Sequence, residues 1–165
     1  MLSKKIQAAL NDQINNEFYA AYLYLSMSGY FRETNLAGFA HWMQMQRQEE
    51  IAHAMKIFDF VYDRDGLVEL QALKKPPARF ESPLDVMEQA LGHEREVTAK
   101  INDLYELAVK EKDYPTQALL QWFITEQVEE EASALQIVEQ LKMIGDSRAA
   151  LLMLYRELGA RTMGE

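Results

Sequence analysis

The sequence predicts an all-α protein: four long helices in an antiparallel bundle with one long crossover connection, followed by a short C-terminal fifth helix. Three observations lead there. Helix breakers are scarce, with only four prolines, Pro76, Pro77, Pro83 and Pro115, and none in the first 75 residues. Apolar residues recur at alternating spacings of three and four, and no segment shows the strict alternation of a half-buried strand. Two short turns flank one long connection. Short turns make antiparallel hairpins, whereas a connection of about 17 residues has the reach to run the length of a bundle.

The elements follow in order. The first helix is expected from about Ser3, a good N-cap residue, to about Arg32. Thr34 and Asn35 offer a turn and a new cap, so the second helix is expected from about Leu36 to about Arg64, ending near Asp65 and Gly66. Residues 66–82, with Lys74-Lys75-Pro76-Pro77 in their midst, read as the crossover. Ser82 as N-cap with Pro83 at the first helical position starts the third helix, which is expected to reach about Lys112. Asp113-Tyr114-Pro115 restarts the chain at once, and the fourth helix is expected to stop at about Ile144, with Gly145 after it. Asp146 and Ser147 then cap a short fifth helix to about Leu158. At 165 residues the chain is expected to be one domain, with the bundle in residues 1–145 and the short helix in 146–165.

Composition excludes several kinds of function. There are 26 acidic residues against 17 basic ones, a net charge of -9, which argues against nucleic acid and against an anionic membrane surface. It favours cations as partners. There is no cysteine, so disulfides, thiol catalysis, and cysteine-ligated zinc or iron–sulfur sites are excluded. No apolar run has the length of a signal peptide or a membrane span, and a cytoplasmic location is expected.

The informative residues are polar ones standing where the core should be. The first stripe reads Ile6, Leu10, Gln13, Glu17, Ala21, Tyr24, Ser28, Phe31, and the second Leu36, Phe39, Met43, Gln46, Glu50, His53, Ile57, Phe60. The third reads Leu84, Met87, Leu91, Glu94, Thr98, Ile101, Tyr105, Ala108, and the fourth Leu120, Phe123, Gln127, Glu130, Ala134, Ile137, Leu141, Ile144. Every stripe carries an acid at its middle, and a buried unpaired carboxylate is costly. Counted from the hairpin turns at about 1.5 Å per residue, these acids fall within roughly one helical turn of a common level. A spacing of 77 residues also links Glu17 to Glu94, Glu49 to Glu126, Glu50 to Gln127 and His53 to Glu130, which reads as two related helical hairpins.

Chemistry explains the pattern. Residues three apart share a helix face, so Glu50 and His53 are placed to hold one ion together. Four carboxylates and one imidazole carry about four negative charges, which two metal ions would offset. Oxygen donors with a single nitrogen suit iron or manganese. Each residue taken singly has an ordinary reading: Gln127 as a polar core residue, Tyr24 as a core aromatic, Glu129-Glu130-Glu131 as a solvated face. The coincidence of all of them at one height does not. His41 and His93 lie off this pattern and are read as surface or satisfied histidines, while Trp122 and the nine methionines are read as packing.

At Glu17-Phe18-Tyr19-Ala20-Ala21-Tyr22-Leu23-Tyr24, Glu49-Glu50-Ile51-Ala52-His53, Glu94 and Glu126-Gln127-Val128-Glu129-Glu130-Glu131 the sequence resembles the non-haem bacterial ferritins, over nearly the whole chain. The resemblance implies a ferritin-like bundle. Glu17, Glu50 and His53 would form a first iron site; Glu50 would bridge to a second, completed by Glu94 and Glu130 with Gln127 close by. Glu49, Glu126 and Glu129, with Glu130, would form a third, and Tyr24 would stand beside the dinuclear centre. The family oxidises Fe(II) with dioxygen or hydrogen peroxide and keeps Fe(III) as a mineral inside a shell of twenty-four copies, whose fourfold channels the fifth helix lines. The alternative is an iron-binding shell subunit without significant ferroxidase activity. Haem is not expected, because bacterioferritins have methionine where this chain has Ile51 and histidine where it has Glu130. Rubrerythrin-type cysteine ligands are absent. Seven of the 26 acids are thereby assigned to iron, leaving 19 against 17 basic residues.

Overall fold

The computed structural model describes residues 2–164. Its elements are α1 (Lys4–Glu33), α2 (Ala37–Asp63), α3 (Pro83–Lys110), α4 (Tyr114–Ile144) and α5 (Arg148–Gly159). No strand occurs among the described residues. α1 pairs with α2 and α3 with α4 as hairpins, α1 also meets α3, and α5 packs on α2.

Caps fix four of the five starts. Ser3, Ser82, Asp113 and Ser147 each accept a hydrogen bond from the backbone N–H three residues on. α2 differs from expectation. Its N-cap is Leu36, which makes no side-chain cap bond. The Thr34 hydroxyl donates backwards to the Tyr30 carbonyl, and Asn35 takes the left-handed conformation at φ 62°, so both residues close α1 rather than open α2.

The crossover is pinned along α1. Leu67 N–H donates to Gln7 Oε1 at 3.0 Å and Asn11 Nδ2 donates to the Leu67 carbonyl at 3.1 Å. Further along, Gln71 Nε2 donates to Asp12 Oδ1 at 2.8 Å, and the Ser26 hydroxyl donates to the Pro77 carbonyl. The connection thus climbs α1 from its first turns towards its last. At the top Phe80 packs edge-on against Tyr30, with ring centroids 5.6 Å apart.

The core is two apolar clusters, not one. The first holds Tyr24, Met27, Phe31, Phe39, Met43 and Met87 with Ile137, Leu154 and Leu158. The second holds Ile6, Leu10, Ile14, Ile57, Val61, Val97, Ile101 and Phe123. In every long helix the residues between the two clusters are buried and polar: Glu17 in α1, Gln46, Glu50 and His53 in α2, Glu94 in α3, and Gln127 and Glu130 in α4. A polar belt therefore crosses the bundle at mid-height, where the sequence places it.

Candidate metal centre

Helical spacing positions the belt. Glu17, Glu50, Glu94 and Glu130 stand on the inward stripes of four different helices and are 1%, 2%, 1% and 6% exposed. Carboxylates this dry demand partners. Glu17 Oε1 accepts from Gln13 Nε2 at 2.7 Å, while Glu17 Oε2 is buried with no hydrogen-bond partner. Glu50 has a ligand atom within 4.8 Å of one on Glu17, and its Oε2 lies 3.4 Å from His53 Nδ1. The other imidazole nitrogen, Nε2, lies 3.7 Å from Glu126 Oε1. Glu94 accepts from the Tyr24 hydroxyl and from Gln127 Nε2, the latter at 3.1 Å. Glu130 Oε2 accepts from Gln46 Nε2 at 2.7 Å.

Two groups of donors converge closely enough to hold an ion: Glu17, Glu50 and His53, and His53, Glu126 and Glu130. Within each, one ligand atom per residue falls inside 4.8 Å of the others. Oxygen-rich sets with a single imidazole, one of whose oxygens is left without a proton donor, fit a hard or borderline cation.

The electrostatics are those of anions crowded in a dry space. Burial is the largest cause for every shifted carboxylate of the belt. It raises Glu50 well above the ordinary carboxylate range, with the charges of Glu94, Glu17 and Glu130 adding to it. Glu94 is pushed up to about 7, although the bonds from Tyr24 and Gln127 pull the other way. Glu130 is pushed up to about 8 by burial and by Glu94, against the pull of Gln46 and His53. Tyr24, wholly buried beside these anions, is raised well above its ordinary value of 10.0 and stays a proton donor.

The remaining candidates are placed less centrally. Gln127 faces Glu94 and also donates to the Glu94 carbonyl at 3.2 Å and to Thr98 Oγ1 at 3.3 Å. Its amide nitrogen is thus turned to the carboxylate as an anchor. Glu126 is half-buried at the edge of the belt. Glu129 is exposed. Both oxygens of Glu49 are engaged by the C-terminal segment, Oε2 by Arg161 Nη2 at 2.7 Å and Oε1 by Gly164 N–H at 3.0 Å.

Two other readings change. His93 is neither on the surface nor satisfied: it is 8% exposed, with Nε2 unpartnered and its ring edge-on to Tyr19 at 5.7 Å. Burial lowers it to about 4, so it is neutral. Trp122 is partly exposed and edge-on to His53 at 5.4 Å, with Lys56 Nζ 4.1 Å from its ring centre, so it walls the site as well as packing. His41 is satisfied, its Nε2 lying 2.7 Å from the Arg161 carbonyl oxygen. The supporting amides Gln13 and Gln46 were given no role by sequence reasoning; each stands on its stripe four residues before an acid, Glu17 or Glu50, where an amide reads equally as packing.

The ferritin-like domain profile matches residues 7–144. The chain is 42% identical to a bacterial non-heme ferritin of Bacteroides fragilis (strain 638R) over 161 residues, 98% of this chain and 100% of that one. It is 41% identical to a bacterial non-heme ferritin of Staphylococcus aureus (strain USA300) over 165 residues, 100% of this chain and 99% of that one. Among solved structures it is similar to an Archaeoglobus fulgidus ferritin engineered to a closed form, at 53% identity and TM-score 0.98 over 99% of both chains. It is similar, too, to the open-pore ferritin of the hyperthermophilic archaeon Archaeoglobus fulgidus, at 52% identity and TM-score 0.97 over 98% of this chain and 100% of that one. With whole-length relatives, a matching fold and a belt of four buried acids and one histidine at mid-bundle, the chain belongs to the ferritin family.

Proposed function

We propose that the chain is a cytoplasmic iron-storage ferroxidase, which takes Fe(II) at the belt, oxidises it with dioxygen or hydrogen peroxide, and stores Fe(III) as a mineral inside a homo-oligomeric shell of twenty-four subunits. One observation carries the chemistry: donor atoms of Glu17, Glu50 and His53, all buried, lie within 4.8 Å of one another between two apolar clusters. In this reading Glu17, Glu50 and His53 hold the first Fe(II). Glu50 is shared with a second, which Glu94 and Glu130 complete, and Gln127 and Tyr24 fix Glu94 by donating to it. Glu126, with Glu49 and Glu129, forms the third position through which iron passes.

Iron is the substrate and supplies the electrons. Two Fe(II) give one electron each, so dioxygen takes two electrons and two protons to leave as peroxide. The chain's residues supply geometry, negative charge and a dry surround that strengthens every charge interaction. Glu94 and Glu130 enter metal binding partly protonated, so they release protons as Fe(II) arrives. The shell is supported by apolar surface that a lone subunit leaves bare. Met143 and, on α5, Leu152 and Met153 are 80%, 55% and 73% exposed.

The test is Glu50→Ala, which removes the ligand shared by both irons. The first fast phase of Fe(II) oxidation, read by stopped-flow absorbance after two Fe(II) per subunit and oxygen, is expected to fall by at least about a hundredfold, the range seen when essential catalytic groups are removed. Oxidation at the parent rate would overturn the assignment. Light scattering of the aerobically loaded protein, read with its iron content, checks the shell.

A further inference from the structure

The C-terminal segment reaches back to the acid that precedes Glu50. α5 is seated by Gly38: a Cβ there would lie 1.9 Å from the Tyr155 carbonyl oxygen, and a Cβ on Gly159 would lie 3.3 Å from Gly38 Cα. α5 ends at Gly159. The next residues run over α2, where His41 Nε2 lies 2.7 Å from the Arg161 carbonyl oxygen and the Arg161 guanidinium stands 4.8 Å from the centre of the Trp42 ring. From there Arg161 Nη2 donates to Glu49 Oε2 at 2.7 Å, and Gly164 N–H donates to Glu49 Oε1 at 3.0 Å. The two side chains are only 10% and 11% exposed, so solvent screens the pair weakly. A cavity of about 360 Å³, walled by Trp42, Ile137, Gln140, Glu157 and Arg161, opens beside the guanidinium. It has room for the side chain to swing away, and Glu157 offers it another carboxylate.

We infer that residues 161–164 form a latch on Glu49: Arg161 is a tethered cation that occupies this carboxylate and yields it only to a multivalent metal ion arriving next to the centre. The inference rests on the metal-centre reading above. Its logic is competition. A guanidinium already held at 2.7 Å leaves Glu49 no net charge to offer an incoming ion, and the N–H of Gly164 takes its second oxygen. Metal must displace both. The latch therefore weakens metal at Glu49 without touching Glu17, Glu50 or His53, so iron is held tightly where it is oxidised and loosely where it leaves.

The experiment is an anaerobic Zn(II) titration of the assembled, metal-free protein by calorimetry, comparing the parent with Arg161→Ala, Arg161→Gln, Glu49→Gln and the Arg161→Ala/Glu49→Gln double variant. The two tightest Zn(II) per subunit are expected to be unchanged in both Arg161 variants. A weaker site is expected to tighten by about tenfold or more in both Arg161 variants, the factor that a charge-assisted hydrogen bond carries, and to lose that gain in the double variant. Hydrogen exchange supplies a second reading on the unmutated chain. The Gly164 amide is expected to lose protection on Zn(II) loading, and to be unprotected without metal in Glu49→Ala, which removes its acceptor. Superposed isotherms for parent and Arg161 variants, or a gain that persists in the double variant, overturn the latch. Absence of the two tight sites in the parent overturns the metal centre itself.

Discussion

At the scale of single residues, the belt acids set a pH dependence of unusual sign. Glu94 and Glu130 hold their protons to about 7 and about 8 in the metal-free fold, well above the ordinary 4.5. Between those values the folded chain keeps protons that the unfolded chain gives up. Their contribution to stability is therefore complete below about pH 4.5 and is lost as pH rises through 7 and 8, each tenfold gain in proton affinity on folding being worth about 1.4 kcal/mol. The melting temperature of the metal-free protein is expected to fall between pH 5 and pH 8, and Zn(II) is expected to abolish the fall, because a bound cation replaces the protons. Differential scanning fluorimetry across that range checks it; a flat metal-free profile would refute the crowded-anion account. These residues were legible in the sequence because a charge interrupts an apolar stripe. Gln13 and Gln46 were visible on the same stripes but mute, since an amide there reads equally as packing. Arg161 was not legible at all: it stands 112 positions from Glu49, in a tail with no periodicity to tie it to α2.

At the scale of elements, two joints decide how the helices sit. Asp113 is both the N-cap of α4, accepting from Thr116 N–H at 3.1 Å, and the partner of Arg64 at the end of α2, whose Nη1 and Nη2 reach its two oxygens at 2.9 and 3.1 Å. Partial burial pushes its carboxyl up, but the Arg64 fork and the Thr116 bond outweigh that and hold it below its ordinary 3.8. Its stabilising effect is thus present above pH 3.8 and lost as pH falls through its lowered value. Asp113→Ala is expected to cost about 2 kcal/mol, cap and ion pair together, and Asp113→Asn about half of that because the amide oxygen still caps. Urea unfolding of the metal-free protein measures both. The second joint is Gly38. Gly38→Ala drives a methyl into the backbone of Tyr155, which cannot yield as a flexible side chain does. Residues 148–164 are expected to lose their exchange protection while α1–α4 keep theirs; retained protection in α5 would count against the close approach. Starts capped by Ser3, Ser82, Asp113 and Ser147 were legible from residue type alone. The start of α2 was legible to within a residue but its cap was not, because Thr34 and Asn35 suit a helix end as well as a helix beginning, and only the left-handed turn at Asn35 decides between them.

At the scale of the molecule, topology was readable from loop length: one long connection between two short-linked hairpins leaves few arrangements. Loop length left open the course of that connection, which depends on Gln7, Asn11 and Asp12 offering side-chain partners on one flank of α1. The partition of the interior has a further consequence. Two apolar clusters separated by a layer of crowded acids divide the interior shared by the four helices. Without metal their coupling runs through buried carboxyls that gain charge and repel one another as pH rises through about 7 and 8, and either end is then free to melt before the other. The metal-free protein is expected to unfold with a calorimetric enthalpy exceeding the van't Hoff value, and the two are expected to converge on Zn(II) loading. On the proposed reading the cargo of the centre would also be the rivet of the fold: emptied of metal the bundle would answer as two half-bundles, and filled it would answer as one.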